Sequence, residues 1–515
     1  MTLTRALHRT VQQAPDSPMT RYRDRTHTHA QVYDRVARLG GALRNLGVAD
    51  GDRVAILALN SDRYSDFLLG TAWAGGVVNP QNIRWAPPEL GFALSDSETG
   101  ILFVDDMFAA VGERLLADVD HLHTLVYLGE AETPPGMLAM EELIAGSEPI
   151  TDRAPSDHEM VGLFYTGGTT GQPKGVMLSA ANLLTSALGS MASGSFVNPR
   201  SKYLHAAPMF HLADLAAWYS VLQLGGEHVI VSHFDVRLVL QAIQDHGVTE
   251  VLLVPTMIQL VTDDPARPEY DVSSLERIIY GASPIDDDLL GRAMTAFPNV
   301  GFSQAYGMTE LSPVATLLSP EDHIDRPGQP SRRRSAGRAA PHSMVRVVRE
   351  DGAEAATGEV GEIVVAGPHV MLGYWRRPEE TAAALQPDGM HTGDAGYLDA
   401  DGYLYVVDRI KDMIISGGEN IYSAEVENAL CAHPAVAAAA VIGVPDDKWG
   451  EIVHAVIVRQ PGSEATGEEL VSFVRERIAG YKVPRVVTFT EALPVSGAGK
   501  VLKRVLRDEL AAATA

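Results

Sequence analysis

Cysteine is almost absent from this 515-residue chain: Cys431 stands alone. That excludes an intramolecular disulfide, a cysteine-rich zinc site and a redox thiol pair. Positive charge is also scarce, with 41 Lys and Arg against 66 Asp and Glu and a formal net charge of −25. A surface of that sign repels phosphate backbones and anionic lipid, which argues against a nucleic-acid or membrane-surface binder. The one basic cluster, Arg332-Arg333-Arg334 with Arg338, is short and reads as a solvated loop. No apolar run reaches the roughly eighteen residues of a membrane span. The most apolar stretch, Ala435–Val444, falls far short. The first residues, Met-Thr-Leu-Thr-Arg-Ala-Leu-His, lack the basic-then-apolar order of a secretory signal, so the cytoplasm is the expected location. Tandem repeats and low-complexity linkers are missing too.

What is present is a globular composition, 46% hydrophobic and 21% charged, in a chain long enough for several subdomains. Any anionic ligand must be attracted by local groups, and one stretch supplies them. Tyr165-Thr166-Gly167-Gly168-Thr169-Thr170-Gly171-Gln172-Pro173-Lys174-Gly175 holds four glycines, three threonines and one lysine between two apolar runs. Glycines let successive main-chain N–H groups converge on an anion. The hydroxyls add donors and Lys174 a mobile charge, so a polyphosphate is the natural guest. The spacing is not that of a Walker A loop.

Apolar residues at Val32, Val36, Leu39 and Leu43 predict a helix over residues 29–47, followed by a strand over 52–59. Helices are predicted over 62–74, 235–246 and 286–297, and strands over 227–231, 249–254, 277–280 and 300–304. Such alternation predicts parallel sheets of βαβ units, with ligands beyond the carboxyl ends of the strands. After about residue 330 shorter strands with Gly and Asp turns predict a smaller β subdomain. A new alternation follows Asp408-Arg409-Ile410-Lys411, where a domain boundary is expected.

The polar loops suggest chemistry. Thr309-Glu310 pairs a hydroxyl with a carboxylate suited to Mg²⁺, which takes one or two carboxylates plus phosphate oxygens. Asp394, in His391-Thr392-Gly393-Asp394, suits bidentate bonding of ribose hydroxyls, and Tyr306 offers an aromatic face to a base. Lys500 follows Ser496-Gly497-Ala498-Gly499. Each has an ordinary reading: Glu310 as a helix-start acid, Asp394 as a turn residue, Lys500 as a solvated lysine. Their joint order separates the two readings.

Taken in order, Thr166–Gly175, Pro208-Met-Phe-His211, Tyr280-Gly281-Ala282-Ser283-Pro284, Tyr306-Gly307-Met308-Thr309-Glu310, Thr392-Gly-Asp394, Asp408–Lys411, Ser416-Gly417-Gly418-Glu419-Asn420 and Gly499-Lys500 resemble the motifs of the adenylate-forming superfamily. That superfamily holds acyl-CoA synthetases, peptide-synthetase adenylation domains and firefly-type luciferases. The likeness runs through nearly the whole chain and is strongest to bacterial fatty-acyl and aryl-CoA ligases. It implies an α/β fold: a large N-terminal domain of βαβ sheets with a small β subdomain (residues 1–408), a hinge at 409–411 and a mobile α+β C-terminal lid (412–515). It implies an ATP- and Mg²⁺-dependent acid:CoA ligase acting through an acyl-adenylate. By this likeness Thr166, Gly167, Gly168, Thr169, Thr170, Gly171 and Lys174 hold the β and γ phosphates. Gly281–Pro284, Tyr306 and Gly307 form the adenine site, Thr309 meets the α-phosphate and Glu310 binds Mg²⁺. Asp394 and Arg409 hold the ribose, and Lys500 bridges carboxylate and α-phosphate. Lys411 is the hinge residue, Ser416, Gly417, Gly418 and Glu419 line the coenzyme A side, and His211 closes the acid pocket.

The chain departs from the family pattern where Gly167 replaces a serine of the phosphate loop, removing one hydroxyl donor; Ser496 and Ala498 replace a usual threonine and serine. The acid class stays open between medium- or long-chain and aryl or cinnamic-type acids. The helix after His211 carries small alanines that leave room, and Trp218 is expected to limit depth. The acceptor stays open between coenzyme A and a carrier-protein thiol, amine or other nucleophile. A nucleotide-binding regulator without turnover is the reading from another class. The oligomeric state is not readable from the sequence; a homodimer stays open, since two-fold dimers are the commonest homo-oligomers.

Overall fold

Thr28 starts the first predicted helix with a capping box: its hydroxyl accepts from Gln31 N–H, and the Gln31 side chain accepts the Thr28 N–H at 2.8 Å. The helix runs His29–Asn45 and buries Val32, Val36, Leu39 and Leu43, the residues whose spacing predicted it. In this computed structural model the described residues are 2–167, 172–283, 285–328, 330–417, 419–446, 448–495 and 501–514. Gly247, at φ +62, ends the helix Val236–His246 in the left-handed conformation that glycine adopts without penalty. Pro255 does more than stop the strand Glu250–Leu252: it opens the helix Pro255–Asp263 from a first-turn position that needs no N–H donor.

The chain forms two compact units, residues 1–345 with 365–390, and residues 346–364 with 391–515. The first holds two large sheets. In one, the strands Lys202–His205, Glu227–Ile230, Glu250–Leu252, Arg277–Gly281 and Gly301–Gly307 are parallel to their neighbours, and Val314–Leu318 returns antiparallel. In the other, Arg53–Leu57, Val77–Pro80, Ile101–Val104, Thr124–Tyr127 and Met160–Thr166 pair in parallel, and Lys174–Ser179 folds back on Met160–Thr166 as a hairpin. The predicted βαβ alternation is therefore present. Helices Val236–His246, Pro255–Asp263 and Asp287–Ala296 cover the first sheet through Val239, Leu240, Ile243, Ile258 and Leu290. Strands buried on both faces read as near-continuous apolar runs, which is how they were found in the sequence.

In the second unit, residues 394–398 of the strand Gly389–Leu398 pair antiparallel with Leu404–Arg409. A further sheet brings together Ile414–Ser416, Glu419–Ile421, Val436–Asp446, Gly450–Arg459 and Val486–Thr490. Helices Ser423–Cys431 and Gly467–Arg475 bury Val426, Leu430, Leu470 and Val474 in its core. The fold is α/β, as the strand–helix alternation predicted, with a smaller α+β C-terminal part, as the family resemblance implied. No helix among the described residues is long and apolar enough to cross a membrane.

Candidate active site

Thr166 and Lys174 face each other across the hairpin, at the two ends of the glycine-rich stretch. Gly167 is exposed, and a Cβ added there would meet nothing within 4 Å. Gly168, Thr169, Thr170 and Gly171 lie outside the described residues, as do Pro284, Gly418 and the segment Ser496–Lys500. Lys174 Nζ sits 2.6 Å from Glu380 Oε2 and 5.4 Å from the centre of the Tyr374 ring. The loop's lysine is thus held on a defined counter-ion.

Two neighbouring parallel strands end in the other polar loops. Gly281 lies opposite Ala305, and a Cβ on Gly281 would stand 2.2 Å from the Ala305 carbonyl oxygen. A Cβ on Gly307 would stand 1.8 Å from the Pro313 carbonyl oxygen. Both glycines are required by backbone approach. Ala282 follows at φ +66, a left-handed conformation that costs a side chain about 1 kcal/mol, and Ser283 is half-buried beside it. Tyr306 is half-buried near the end of its strand, and Thr309–Leu311 forms a single tight turn. These groups lie beyond the carboxyl ends of parallel strands, the position expected for a ligand.

Glu310, 5% exposed, accepts a hydrogen bond from Tyr374 Oη at 2.8 Å. Its carbonyl accepts the Met371 N–H at 2.9 Å, and the Leu372 and Trp375 N–H groups reach the Met177 and Gly175 carbonyls at 2.9 and 2.8 Å. The segment 371–375 therefore ties the Glu310 turn to the return strand of the glycine-rich hairpin. Sequence reasoning missed Tyr374. The available signal was an aromatic pair after glycine, Gly373-Tyr374-Trp375, ahead of Arg376-Arg377-Pro378.

His211 is half-buried, precedes the helix Leu212–Leu224 and lies 4.1 Å from the Phe210 ring, centre to centre. Along that helix Ala213, Ala216 and Ala217 share a cluster with Tyr203, Leu252, Ile279, Ala305 and Val314. Trp218 points elsewhere: its indole N–H donates to Ser65 Oγ at 3.0 Å, and its ring lies against Tyr219 and His228. The expected depth limit is corrected on that ground, because Trp218 packs away from the alanine face. Asp214, one turn into the helix, bonds His205 Nδ1 at 2.6 Å, and His205 Nε2 contacts His228 Nδ1 at 2.9 Å. All three are buried. Burial raises the Asp214 carboxyl above its usual range despite His205 and pushes His228 well below the ordinary histidine value.

In the second unit, Asp394 lies across the ladder from Arg409, Oδ1 to Nε 3.0 Å. Thr392 Oγ1 donates to the Ile363 carbonyl at 2.7 Å and accepts the Asp394 N–H at 3.1 Å, which fixes the turn around Gly393 at φ +70. Asp408 accepts from the Ser423 N–H and, at 2.6 Å, from Ser423 Oγ, holding the helix Ser423–Cys431 to the segment that carries Lys411. Ser416 and Glu419 face each other in a short hairpin. Gly417 turns at φ +62 beside the Trp449 ring, where a Cβ would come within 2.9 Å. The first unit carries the glycine-rich hairpin, Gly281–Ser283, Tyr306, Gly307, Thr309 and Glu310. The second pairs Asp394 with Arg409 and carries Lys411, Ser416, Gly417 and Glu419 close in sequence.

Comparison with known proteins gives this arrangement its family. Residues 7–375 match the model of the AMP-binding enzyme family, and residues 425–500 match that of the AMP-binding enzyme C-terminal domain. A feruloyl-CoA synthase from an Amycolatopsis species is 40% identical over 503 residues, covering 97% of each chain. A fatty acid–[acyl-carrier-protein] ligase from Streptomyces coeruleorubidus is 35% identical, covering 97% of this chain and 94% of its own. The solved structure of o-succinylbenzoate CoA synthetase from Bacillus subtilis, in complex with its acyl-adenylate intermediate, superposes with a TM-score of 0.86 at 32% identity, covering 98% of each chain. The chain belongs to the AMP-binding enzyme family, in the acyl-CoA synthetase branch of the adenylate-forming superfamily, and is an ATP-dependent acid–CoA ligase.

Proposed function

We propose that the acid is an aryl acid of the cinnamic type, activated as its adenylate and passed to coenzyme A. The observation that carries this reading is the alanine face of the helix Leu212–Leu224. Ala213, Ala216 and Ala217 pack in one cluster with Tyr203 and Ile279, and the small side chains of that face are assigned to the ring side of the acid pocket. The 40% identity to a feruloyl-CoA synthase supports it. His211, at the start of the same helix, is assigned the closing wall of the acid pocket.

The remaining assignments follow the chemistry. The acid's carboxylate attacks the α-phosphorus of ATP, pyrophosphate leaves, and the thiol of coenzyme A then attacks the acyl carbonyl and displaces AMP. Carboxylate and phosphate repel each other, so cations must serve both approach and transition state. Lys500 is assigned that role at the α-phosphate, with Thr309 as a hydroxyl donor. Lys174 and the loop Thr166–Gly171 are assigned to the leaving pyrophosphate. Gly281–Pro284, Tyr306 and Gly307 are assigned to adenine, and Asp394 with Arg409 to the ribose. Lys411 in a 409–411 hinge between residues 1–408 and 412–515, and Ser416–Glu419 on the thiol side, are assigned to the second half-reaction. Glu310 fits a Mg²⁺ ligand: it is a buried carboxylate in the turn beyond the strand, and the described residues hold no cluster of three or more His, Cys, Asp or Glu that would form a cage without the nucleotide. Bound there, Mg²⁺ would neutralise phosphate charge.

The test is ATP–pyrophosphate exchange over a panel of acids, followed by mass detection of the thioester with coenzyme A. Exchange driven by cinnamic-type acids above straight-chain acids is expected; preference for a straight-chain acid would overturn the substrate assignment. A second reading keeps the adenylate and changes the acceptor to a carrier-protein thiol. The similarity to a fatty acid–[acyl-carrier-protein] ligase favours it. Thioester formed on an added carrier protein but not on coenzyme A would select that reading.

A further inference from the structure

We infer that Tyr374 is a positioning residue for adenylation: its hydroxyl orients the Glu310 carboxylate and its ring seats the Lys174 ammonium. One side chain then sets both groups assigned to the charged end of the nucleotide. The inference rests on the assignment of Glu310 to Mg²⁺ and of Lys174 to the phosphates.

The first support is the contact itself. Tyr374 Oη donates to Glu310 Oε1 at 2.8 Å, on a carboxylate only 5% exposed. A buried carboxylate takes its orientation from the donors around it, and a hydrogen bond to a charged acceptor is a strong and directional one. The second support is that Tyr374 is itself fixed. Its N–H donates to Thr381 Oγ1 at 2.9 Å, and that hydroxyl donates to the Arg377 carbonyl at 2.7 Å. Its Cα lies in register with Val176 of the phosphate hairpin. Gly373, at φ +141, passes so near Thr381 that a Cβ would come within 2.8 Å of its methyl carbon. Only glycine lets the chain deliver the phenol at that point.

The third support is the pairing of the two ends. Met371 N–H binds the Glu310 carbonyl, so backbone and side chain of Glu310 are both held from one short segment, residues 371–374. The strand Gly373–Tyr374 within it pairs with Val176 and Met177, just after Lys174. Lys174 Nζ lies 5.4 Å from the Tyr374 ring centre, within the range of a cation–π contact. A tyrosine that merely filled space would need neither the hydroxyl contact nor the ammonium above its face.

The experiment compares Tyr374→Phe, Tyr374→Leu, Glu310→Gln and the double variant Tyr374→Phe with Glu310→Gln in the full chain. Binding of MgATP and of ATP in excess chelator is read by calorimetry, with steady-state KM for the acid and the thermal midpoint alongside. Phe keeps the ring, so Tyr374→Phe is expected to fold as the parent and to weaken MgATP roughly tenfold, the scale of one charged hydrogen bond. Metal-free ATP and KM for the acid stay unchanged, and the loss disappears in the Glu310→Gln background. Tyr374→Leu additionally weakens metal-free ATP through Lys174. An unchanged MgATP affinity in Tyr374→Phe, or the same loss with and without Glu310, overturns the inference. If Glu310→Gln alone leaves MgATP affinity unchanged, the metal assignment fails and the inference falls with it. A strong Glu310→Gln effect with an additive Tyr374→Phe effect sinks the inference alone.

Discussion

Lys503 Nζ lies 2.8 Å from the Glu427 carboxylate and also donates to Ser423 Oγ, the hydroxyl that binds Asp408. A polar chain thus runs from the residue just before Arg409 to the start of the C-terminal helix, within the second unit. Arg507 adds a contact to Asp412 at 3.0 Å. Burial raises the Glu427 carboxyl above its ordinary value, and Lys503 opposes that shift.

Lys503→Met leaves Glu427 with its burial and without its cation. The expected loss is about 2 kcal/mol, between that of an exposed and of a fully buried pair, since both side chains are partly exposed. A carboxyl whose folded pKa is raised stabilises the fold below its unfolded pKa, and that contribution is lost as pH rises. The deficit should therefore be larger at pH 8 than at pH 5 in denaturant unfolding, and Glu427→Gln added to Lys503→Met should recover most of it. Equal deficits at both pH values would contradict this account.

Stability should also fall on the acid side, for the opposite reason. His369 is fully buried beside His342, neither of its ring nitrogens has a hydrogen-bond partner among the described residues, and burial lowers its pKa from 6.5 to about 3. Below pH 6.5 the unfolded chain binds a proton that the folded chain refuses until about pH 3. Each such group removes about 1.4 kcal/mol per pH unit across that window. His228 acts in the same direction. The thermal midpoint should drop between pH 7 and 5, and His369→Leu should make the drop shallower. An unaltered slope would show that this histidine does not govern it.

On the proposed acid pocket, Ala213→Leu should lower kcat/KM for aryl acids by about tenfold or more, because the three extra carbons would take up room assigned to the ring. KM for ATP should hold. Trp218→Phe deletes the bond to Ser65 and should cost about 1 kcal/mol of stability while leaving acid preference alone. A changed acid preference in Trp218→Phe would return that residue to the pocket.

Gly167 and Gly281 should respond in opposite ways. Serine at 167 meets no atom within 4 Å, so it should leave the thermal midpoint unchanged and lower KM for ATP a few-fold by supplying a hydroxyl. Alanine at 281 would drive its Cβ into the Ala305 carbonyl and should raise KM for ATP at least tenfold. An unchanged KM in Gly167→Ser would make that glycine neutral.

The helices and parallel strands were readable because period and burial coincide: Val32 to Leu43 turn one face inward, and the strands after them are apolar on both. The polar loops were readable because each follows such a strand. Tyr374 was not readable: its strand is two residues long, carries no period, and bonds a carboxylate 64 positions away. Trp218 was misplaced because its helix is buried on nearly every side, so spacing alone could not say which face meets the acid. Lys503 carried no signal in the sequence, because its partners Ser423 and Glu427 lie on another helix far away in the chain.

The close approaches at Gly281 and Gly307 have a consequence for how this scaffold diversifies. On the proposed assignment the nucleotide end is walled by main chain, where a Cβ added at Gly281 or Gly307 strikes a carbonyl oxygen within 2.2 Å, so drift at those two positions is punished whatever the side chain. The acid end is assigned to a helix whose Ala213 is only partly buried and can be enlarged with less disturbance of the strands. Selection can therefore rewrite which acid is accepted while the energy-coupling half stays fixed. Substrate range should vary among relatives faster than nucleotide choice.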